Sequence, residues 1–394
     1  MIYFDNAATT SMDPEVIDVV ANSMRHDFAN PGTVYKIGMD ARVLVEDATQ
    51  VIRESLNLPN KFRIIFTSGA SEANNLFIKG LAYPARKIAC LGLEHPSVTV
   101  TLDAISGGPP LCLLSSQVEG RLEISAITFP ENSGVRLLCL SHVNNELGSV
   151  NDPGQISQQL ALVAPGARLF LDGAQAVGKL SISHGFWDGV AAYSLSGHKI
   201  NGPKGIGLLI YDSRLSLAPL IHGGKQQDGV RSGTLPTPLI LGMARSVKLA
   251  VARQKNNQVH FKNLRRRLLD GFMRLGKENG DLRIQVNSSV VDDISVQSSA
   301  IVNFSFPPVE GEVLLHHLEG KNIYVGMGSA CSAQSNEPSK ILIGIGLTEE
   351  EARCSLRISF GFNNTIAEVD SFLREFALAY GSLYPSFCQK AVRK

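Results

Sequence analysis

The chain has 394 residues, 44% of them hydrophobic and 19% charged, and its 37 basic side chains meet 36 acidic ones for a formal charge of +1. That length supports a large core with a second lobe, since compact domains usually hold roughly 100 to 200 residues. Near-neutrality argues against a nucleic-acid partner, whose phosphates demand a surplus of Lys and Arg on one face, and no run approaches the ~18 apolar residues of a membrane span.

In chain order, the first stretch carries Asp5 and Asp13 and has no basic region backed by an apolar one. No secretory signal is expected, and the chain reads as soluble, intracellular and cytoplasmic. Asp13-Pro14 puts a capping oxygen ahead of a first-turn proline, and Val16, Val19, Val20, Ser23 and Met24 follow at helical spacing. A second helix is predicted from Ala41, Leu44, Val45, Ala48, Val51 and Ile52, an apolar stripe opposite Asp40, Glu46 and Arg53. Short apolar runs then begin at 64–67, 88–91, 137–143, 169–172, 190–195 and 206–211. Strands buried on both faces look like this, so the fold class is α/β with a mostly parallel sheet. Beyond residue 255 come a charged helix at 260–275, a strand at 300–306, an amphipathic stretch at 312–318 and a helix at 348–353, read as a smaller α+β lobe.

Ligands of open parallel sheets bind at the carboxyl ends of strands, so the polar residues ending these runs carry the most information. Thr67-Ser68-Gly69-Ala70-Ser71 leads from a strand into a helix and can cradle a phosphate; it can equally be an ordinary turn with a Ser cap. Asp172 ends another run, where a buried carboxylate needs a partner: a cofactor cation, a helix N-terminus or an internal Arg. Ser196-Gly197-His198-Lys199 is no Walker loop. Lys199 is either a desolvated amine suited to Schiff-base chemistry or a solvated surface charge.

Six cysteines (Cys90, Cys112, Cys139, Cys331, Cys354, Cys388) show no CxxC pair and no zinc-ligand spacing, so neither a disulfide framework nor a structural metal site is expected. Cys331 differs from the rest because it sits among Gly and small polar residues, Gly326 to Ser335, where a thiol is poor core material and a nucleophile is favoured. The other five lie in or beside apolar segments and read as small hydrophobes.

Taken in order, Tyr3-Phe4-Asp5-Asn6-Ala7-Ala8-Thr9-Thr10, Phe66 to Glu72, Glu94-His95, Val143-Asn144-Asn145-Glu146-Leu147-Gly148, Asp172-Gly173-Ala174-Gln175, Ser196 to Lys199, Arg231-Ser232-Gly233-Thr234, Gly328-Ser329-Ala330-Cys331 and Arg357-Ile358-Ser359-Phe360 resemble the cysteine desulfurases. These are pyridoxal-phosphate enzymes of the fold-type I, class V aminotransferase group. The resemblance implies an N-terminal segment (1–15) packed with the small domain, a large cofactor-binding domain (16–255) and a small C-terminal domain (256–394) carrying the Cys331 loop.

It also implies roles. Lys199 is then the Schiff-base lysine and moves the Cα proton, Asp172 partners the pyridinium nitrogen, Gln175 meets the phenolic oxygen, and His95 stacks on the ring and joins Lys199 and Cys331 as a catalytic residue by handling protons. Ala70, Ser71, Ser196, Gly197 and His198 surround the phosphate, which Thr234 reaches from the neighbouring subunit of a homodimer. Asn145, beside the cofactor, and Arg357 receive the carboxylate of L-cysteine. Cys331 takes the sulfur as a persulfide for an acceptor protein, an iron-sulfur scaffold above all, with which it can briefly share a cluster; the chain alone holds no metal.

Two departures stand out: Tyr35 lies where the family commonly has His, and Lys225-Gln226-Gln227 stands where Gly-Gln-Glu is typical. Rival readings are a selenocysteine lyase, which depends less on the loop thiol, and a cofactor-free assembly scaffold, against which the intact Lys199, Asp172, His95 and Cys331 set argues.

Overall fold

The computed structural model describes the chain except residues 106, 113–116, 131–132, 279–281, 329–336 and 393–394. Cys331 therefore lies outside the described residues.

The first half runs β1 (Ile2–Phe4), α1 (Pro14–His26), α2 (Lys36–Ser55), β2 (Phe62–Thr67), α3 (Ala70–Gly80), β3 (Ile88–Cys90), α4 (Pro96–Asp103), β4 (Leu111–Cys112), the small hairpin β5 (Gln117–Val118) and β6 (Arg121–Leu122), β7 (Leu137–Ser141), α5 (Pro153–Val163), β8 (Arg168–Asp172), β9 (Val190–Ser196) and β10 (Gly207–Asp212). Seven strands make the main sheet in the order β2-β10-β9-β8-β7-β3-β4. The neighbours from β9 to β4 are parallel, and β10 is antiparallel to both β9 and β2. Alternate residues feed opposite cores: Leu138 and Leu140 of β7 join one cluster, Leu137 and Cys139 the other. Burial on both faces is why these strands read as continuous apolar runs.

Helix α1 starts as its sequence predicts, with the Asp13 carboxylate accepting from the Glu15 amide and Pro14 in the first turn. Its buried stripe is Val16, Val20 and Ser23, whereas Met24, expected on that face, is exposed. Helix α6 (Thr237–Glu278) is 42 residues long and packs on α1 and α2 at one end and on α10 (Ile366–Val392) at the other. The division expected at 255/256 falls inside it, so both lobes share this helix.

The small lobe adds β11 (Gln285–Val286), β12 (Ile301–Ser305), α7 (Gly311–Glu319), β13 (Ile323–Val325), α8 (Lys340–Gly344), α9 (Glu349–Arg353) and β14 (Ser355–Ser359) ahead of α10. Strand β12 pairs antiparallel with β11 and β14, while β1 pairs parallel with β13. Phe4, Phe304, Phe306, Phe372 and Phe376 interlock at edge-on and tilted angles and bind the N-terminal strand to α10. The N-terminal segment then crosses to the large lobe, where the Thr10 hydroxyl donates to the His198 carbonyl. Among the described residues no helix is long and apolar enough to cross a membrane.

Candidate active site

The strand ends converge on a cleft of about 500 Å³ lined by Ala70, Ser71, His95, Asn145, Asp172, Gln175, Ser196, His198, Lys199 and Arg357. Register explains the convergence: Ser141, Asp172 and Ser194 are neighbours across β7, β8 and β9, and Gly207 pairs with both Thr67 and Ser196. A Cβ at Gly207 would lie 2.5 Å from the Gly69 Cα, so only glycine lets β10 pass behind the turn that opens α3. Gly197 lies between two lining residues and packs on Pro203 and Ile206, and Thr234 does not line the cleft of its own chain.

At one end of the cleft, α3 begins at Gly69 with no side-chain cap. Its first amides are therefore left for a ligand, with Ser71 and Ser196 beside them, which is the anion-binding property of a helix N-terminus. The Ser-cap alternative is not what forms. Glu72 turns back, accepting from the Ser68 amide at 2.7 Å and pairing with Arg231 at 2.8 Å.

At the other end Asp172 is buried, its Oδ1 accepting from the Ala174 amide at 2.9 Å and its Oδ2 from Asn74 Nδ2 at 2.8 Å. Among the described residues neither an Arg nor a full helix end partners it. Gly173 is required behind it, because a Cβ there would fall 2.0 Å from the Tyr193 ring. Asn74 also donates to Ser97 Oγ at 2.8 Å, and that hydroxyl meets His95 Nδ1 at 2.8 Å. His95 itself caps α4, with Nδ1 accepting the Ser97 amide at 3.1 Å. A backbone N–H can only donate, so the proton of the neutral ring sits on Nε2. Burial lowers the His95 pKa, the Asp172 charge opposes that and Lys199 adds to it. For His198, burial together with Lys199 and Lys204 brings the pKa down to about 4. Both rings are neutral at pH 7.

Lys199 Nζ reaches over the N-terminal segment, donating to the Ala7 carbonyl and, at 2.8 Å, to that of Ala8. Gln175 Nε2 donates to the same Ala7 carbonyl at 2.8 Å. Arg357 is buried, gives Nη1 to the carbonyls of Asn145 and Gly328, and pairs through Nη2 with Asp5 at 2.6 Å. Its Nε is buried against Gly326 and completes no hydrogen bond among the described residues.

The sequence reading passed over Asn74, Ser97, Asp5 and Glu94 as working residues, although Asp5 and Glu94 stood inside quoted motifs. Glu94 is fully buried beneath the site, and neither carboxyl oxygen completes a hydrogen bond among the described residues. Burial and the Asp172 charge push its pKa up to about 8, against a weaker opposing pull from Ser141. It is a neutral acid at pH 7.

The departure at Gln227 has a structural consequence. Its amide accepts from the Phe66 amide at 2.7 Å and donates to the Phe66 carbonyl at 3.0 Å, standing in for a strand beside the sheet edge. A carboxylate could only accept. Lys225 adopts a left-handed φ of 62°, a cost that glycine would avoid. Cys90, Cys139 and Cys354 are buried, as their apolar settings predict.

An uncapped helix end, a buried acid and a lysine within one cleft define a site for a phosphorylated ring that reacts with amines, and comparisons with known proteins agree. The class-V aminotransferase profile matches residues 2–372. A cysteine desulfurase IscS of Vibrio vulnificus is 34% identical over 397 aligned residues, covering 97% of this chain and 93% of its own. A solved NifS-like protein superposes with a TM-score of 0.85 at 27% identity, over 97% of this chain and 100% of that one. The structure described as SspA in complex with cysteine gives 0.71 at 32% identity, over 91% and 99%. The chain belongs to the class-V aminotransferase family of fold-type I pyridoxal-phosphate enzymes. Within that family it falls among the cysteine desulfurases.

Proposed function

We propose that this chain is a pyridoxal-phosphate-dependent desulfurase that converts L-cysteine to L-alanine and leaves the sulfur on Cys331 for an acceptor protein, foremost an iron-sulfur scaffold. The observation that carries this reading is the convergence of Lys199, Asp172 and Arg357 on one cleft that ends at an uncapped helix. When bound, the cofactor supplies an electron sink for the charge released at the substrate Cα.

The chain's own residues do the rest. Ala70, Ser71, Ser196 and His198 hold the phosphate, and Asp172, oriented by Asn74 and Ala174, keeps a proton on the ring nitrogen. His95 would lie against the ring, and Gln175 would offer an N–H to the phenolic oxygen. Lys199 anchors the cofactor and then carries the Cα proton. Arg357 and Asn145 receive the substrate carboxylate, the guanidinium already aimed by Asp5. The Cys331 thiolate attacks the substrate sulfur: the carbon–sulfur bond breaks, a sulfur–sulfur bond forms, and alanine departs after its Cβ gains a proton.

A cytoplasmic homodimer completes the reading. Thr234 lies outside its own chain's cleft, where a neighbour could use it, and apolar side chains on α1, α2 and the loop between them are exposed.

Purified protein given pyridoxal phosphate should develop a visible band that Lys199→Ala abolishes. Cys331→Ala should lower alanine release from cysteine by about 100-fold or more while sparing release from selenocysteine, whose selenium leaves readily. Undiminished cysteine turnover in Cys331→Ala would refute the assigned nucleophile, and a protein that ignores the cofactor would refute the whole reading.

A further inference from the structure

Lys179 lies in the turn after β8, is 8% exposed, and has no part in the chemistry above. Its Nζ donates to Gln175 Oε1 at 2.7 Å. An ammonium only donates, and a carboxamide accepts at one end and donates at the other. Lys179 thus dictates which way Gln175 points, with Oε1 turned back to the ammonium and Nε2 turned forward to the Ala7 carbonyl that Lys199 also meets.

The charges facing Lys179 sharpen the point. Burial first, then Lys199 from the end of β9 and Arg357 from β14, bring its pKa down to about 7. Asp13 ahead of α1 and Arg253 of α6 line the small cavity of about 40 Å³ that Lys179 shares with Lys199, and those two pair with each other. A buried cation among cations is expensive unless an anion joins it.

We propose that Lys179 is a positioning residue for the cofactor's phenolic oxygen: through Gln175 it presents an N–H donor to that oxygen, and its charge favours the oxygen's anionic form. This rests on the reading that Gln175 meets the phenolic oxygen, so the test separates the two.

The measurement is the pH midpoint at which the visible band of the reconstituted full-length protein shifts. A donor and a nearby cation both favour the deprotonated form, so Lys179→Met should raise the midpoint by roughly half to one unit. Gln175→Ala should raise it as well, and Lys179→Met should add little in the Gln175→Ala background. Lys179→Arg keeps donor and charge, has the adjoining cavity to grow into, and should restore the wild-type midpoint. If Lys179→Met fails to fold by thermal melting, Lys179→Gln, neutral and polar, carries the same comparison. An unmoved midpoint in Gln175→Ala overturns the role given to Gln175. A moved midpoint there, with none in Lys179→Met, overturns the role given to Lys179. So does an equal Lys179→Met shift in both backgrounds, since the effect would then bypass Gln175.

Discussion

Glu94 shows how one side chain beneath the site couples the fold to pH. In the folded chain burial holds its proton to about pH 8, against the ordinary carboxyl value of 4.5 that applies once the chain unfolds. Between those limits the folded state binds the extra proton, so this group's contribution to stability falls as pH rises through the window and is complete only below it. Glu94→Gln removes the titration without changing shape. Its unfolding free energy relative to wild type, from urea titrations, should be level near pH 4.5 and should climb towards pH 8, by at most about 1.4 kcal/mol per pH unit. A difference that stays constant across the window would mean that Glu94 is ionised in the fold. A neutral Glu94 also spares Asp172 a second anion beside it, leaving that carboxylate as the partner for a ring cation. Asp172, Lys199 and the Gly69 turn were legible because each ends an apolar run. Glu94 and Lys179 were not, because burial of a lone charge depends on neighbours distant in sequence, here Ser141, Lys199 and Arg357.

The elements that place these residues depend on where helices can approach one another. Two glycines of α6 make opposite predictions. A Cβ at Gly242 would fall 2.5 Å from Val20 Cγ2 and 2.8 Å from the Pro203 ring, neither of which can swing aside. Gly242→Ala should therefore destabilise by about 1–3 kcal/mol and disturb the Asn201 to Lys204 turn that follows Lys199. At Gly276 the nearest atom to a new Cβ is the Leu282 carbonyl oxygen at 3.7 Å, an ordinary contact, so Gly276→Ala should stabilise by up to about 1 kcal/mol. Urea unfolding of the pair checks both signs, and a loss at Gly276 equal to that at Gly242 would sink the packing argument. The same packing explains what the pattern concealed. Residues 260–275 alternate charged and apolar faces and were read as helix. The preceding turns bury Ile240, Gly242, Met243, Ala244, Ser246 and Val247 and lack the one-sided contrast that marks an amphipathic helix. Strand β1 escaped notice for a different reason, since its three residues pair only with β13, more than three hundred positions along the chain.

At the scale of the whole molecule, the near balance of 37 basic and 36 acidic side chains leaves little net repulsion between copies. One stretch leaves several apolar side chains in solvent: Phe28 is 81% exposed and Val34 88%, and the exposed Tyr35 that caps α2 is followed at four-residue steps by Met39 and Val43 on the outward face of that helix. A run of that kind at the start of a helix is costly in water and suits burial against a second subunit. In the proposed dimer, Val34→Asp should therefore shift the protein from dimer to monomer in analytical ultracentrifugation. Far-ultraviolet circular dichroism should stay unchanged, because Val34 contributes almost nothing to its own chain's core. The monomer should also release pyridoxal phosphate more readily, by about tenfold if one hydrogen bond to the phosphate is lost, since Thr234 would no longer reach a neighbour's cleft. Thr234→Ala in the intact dimer should reproduce the weaker cofactor retention without dissociation. A Val34→Asp protein that remains dimeric would place the interface elsewhere, and full retention in a genuine monomer would remove Thr234 from the phosphate site.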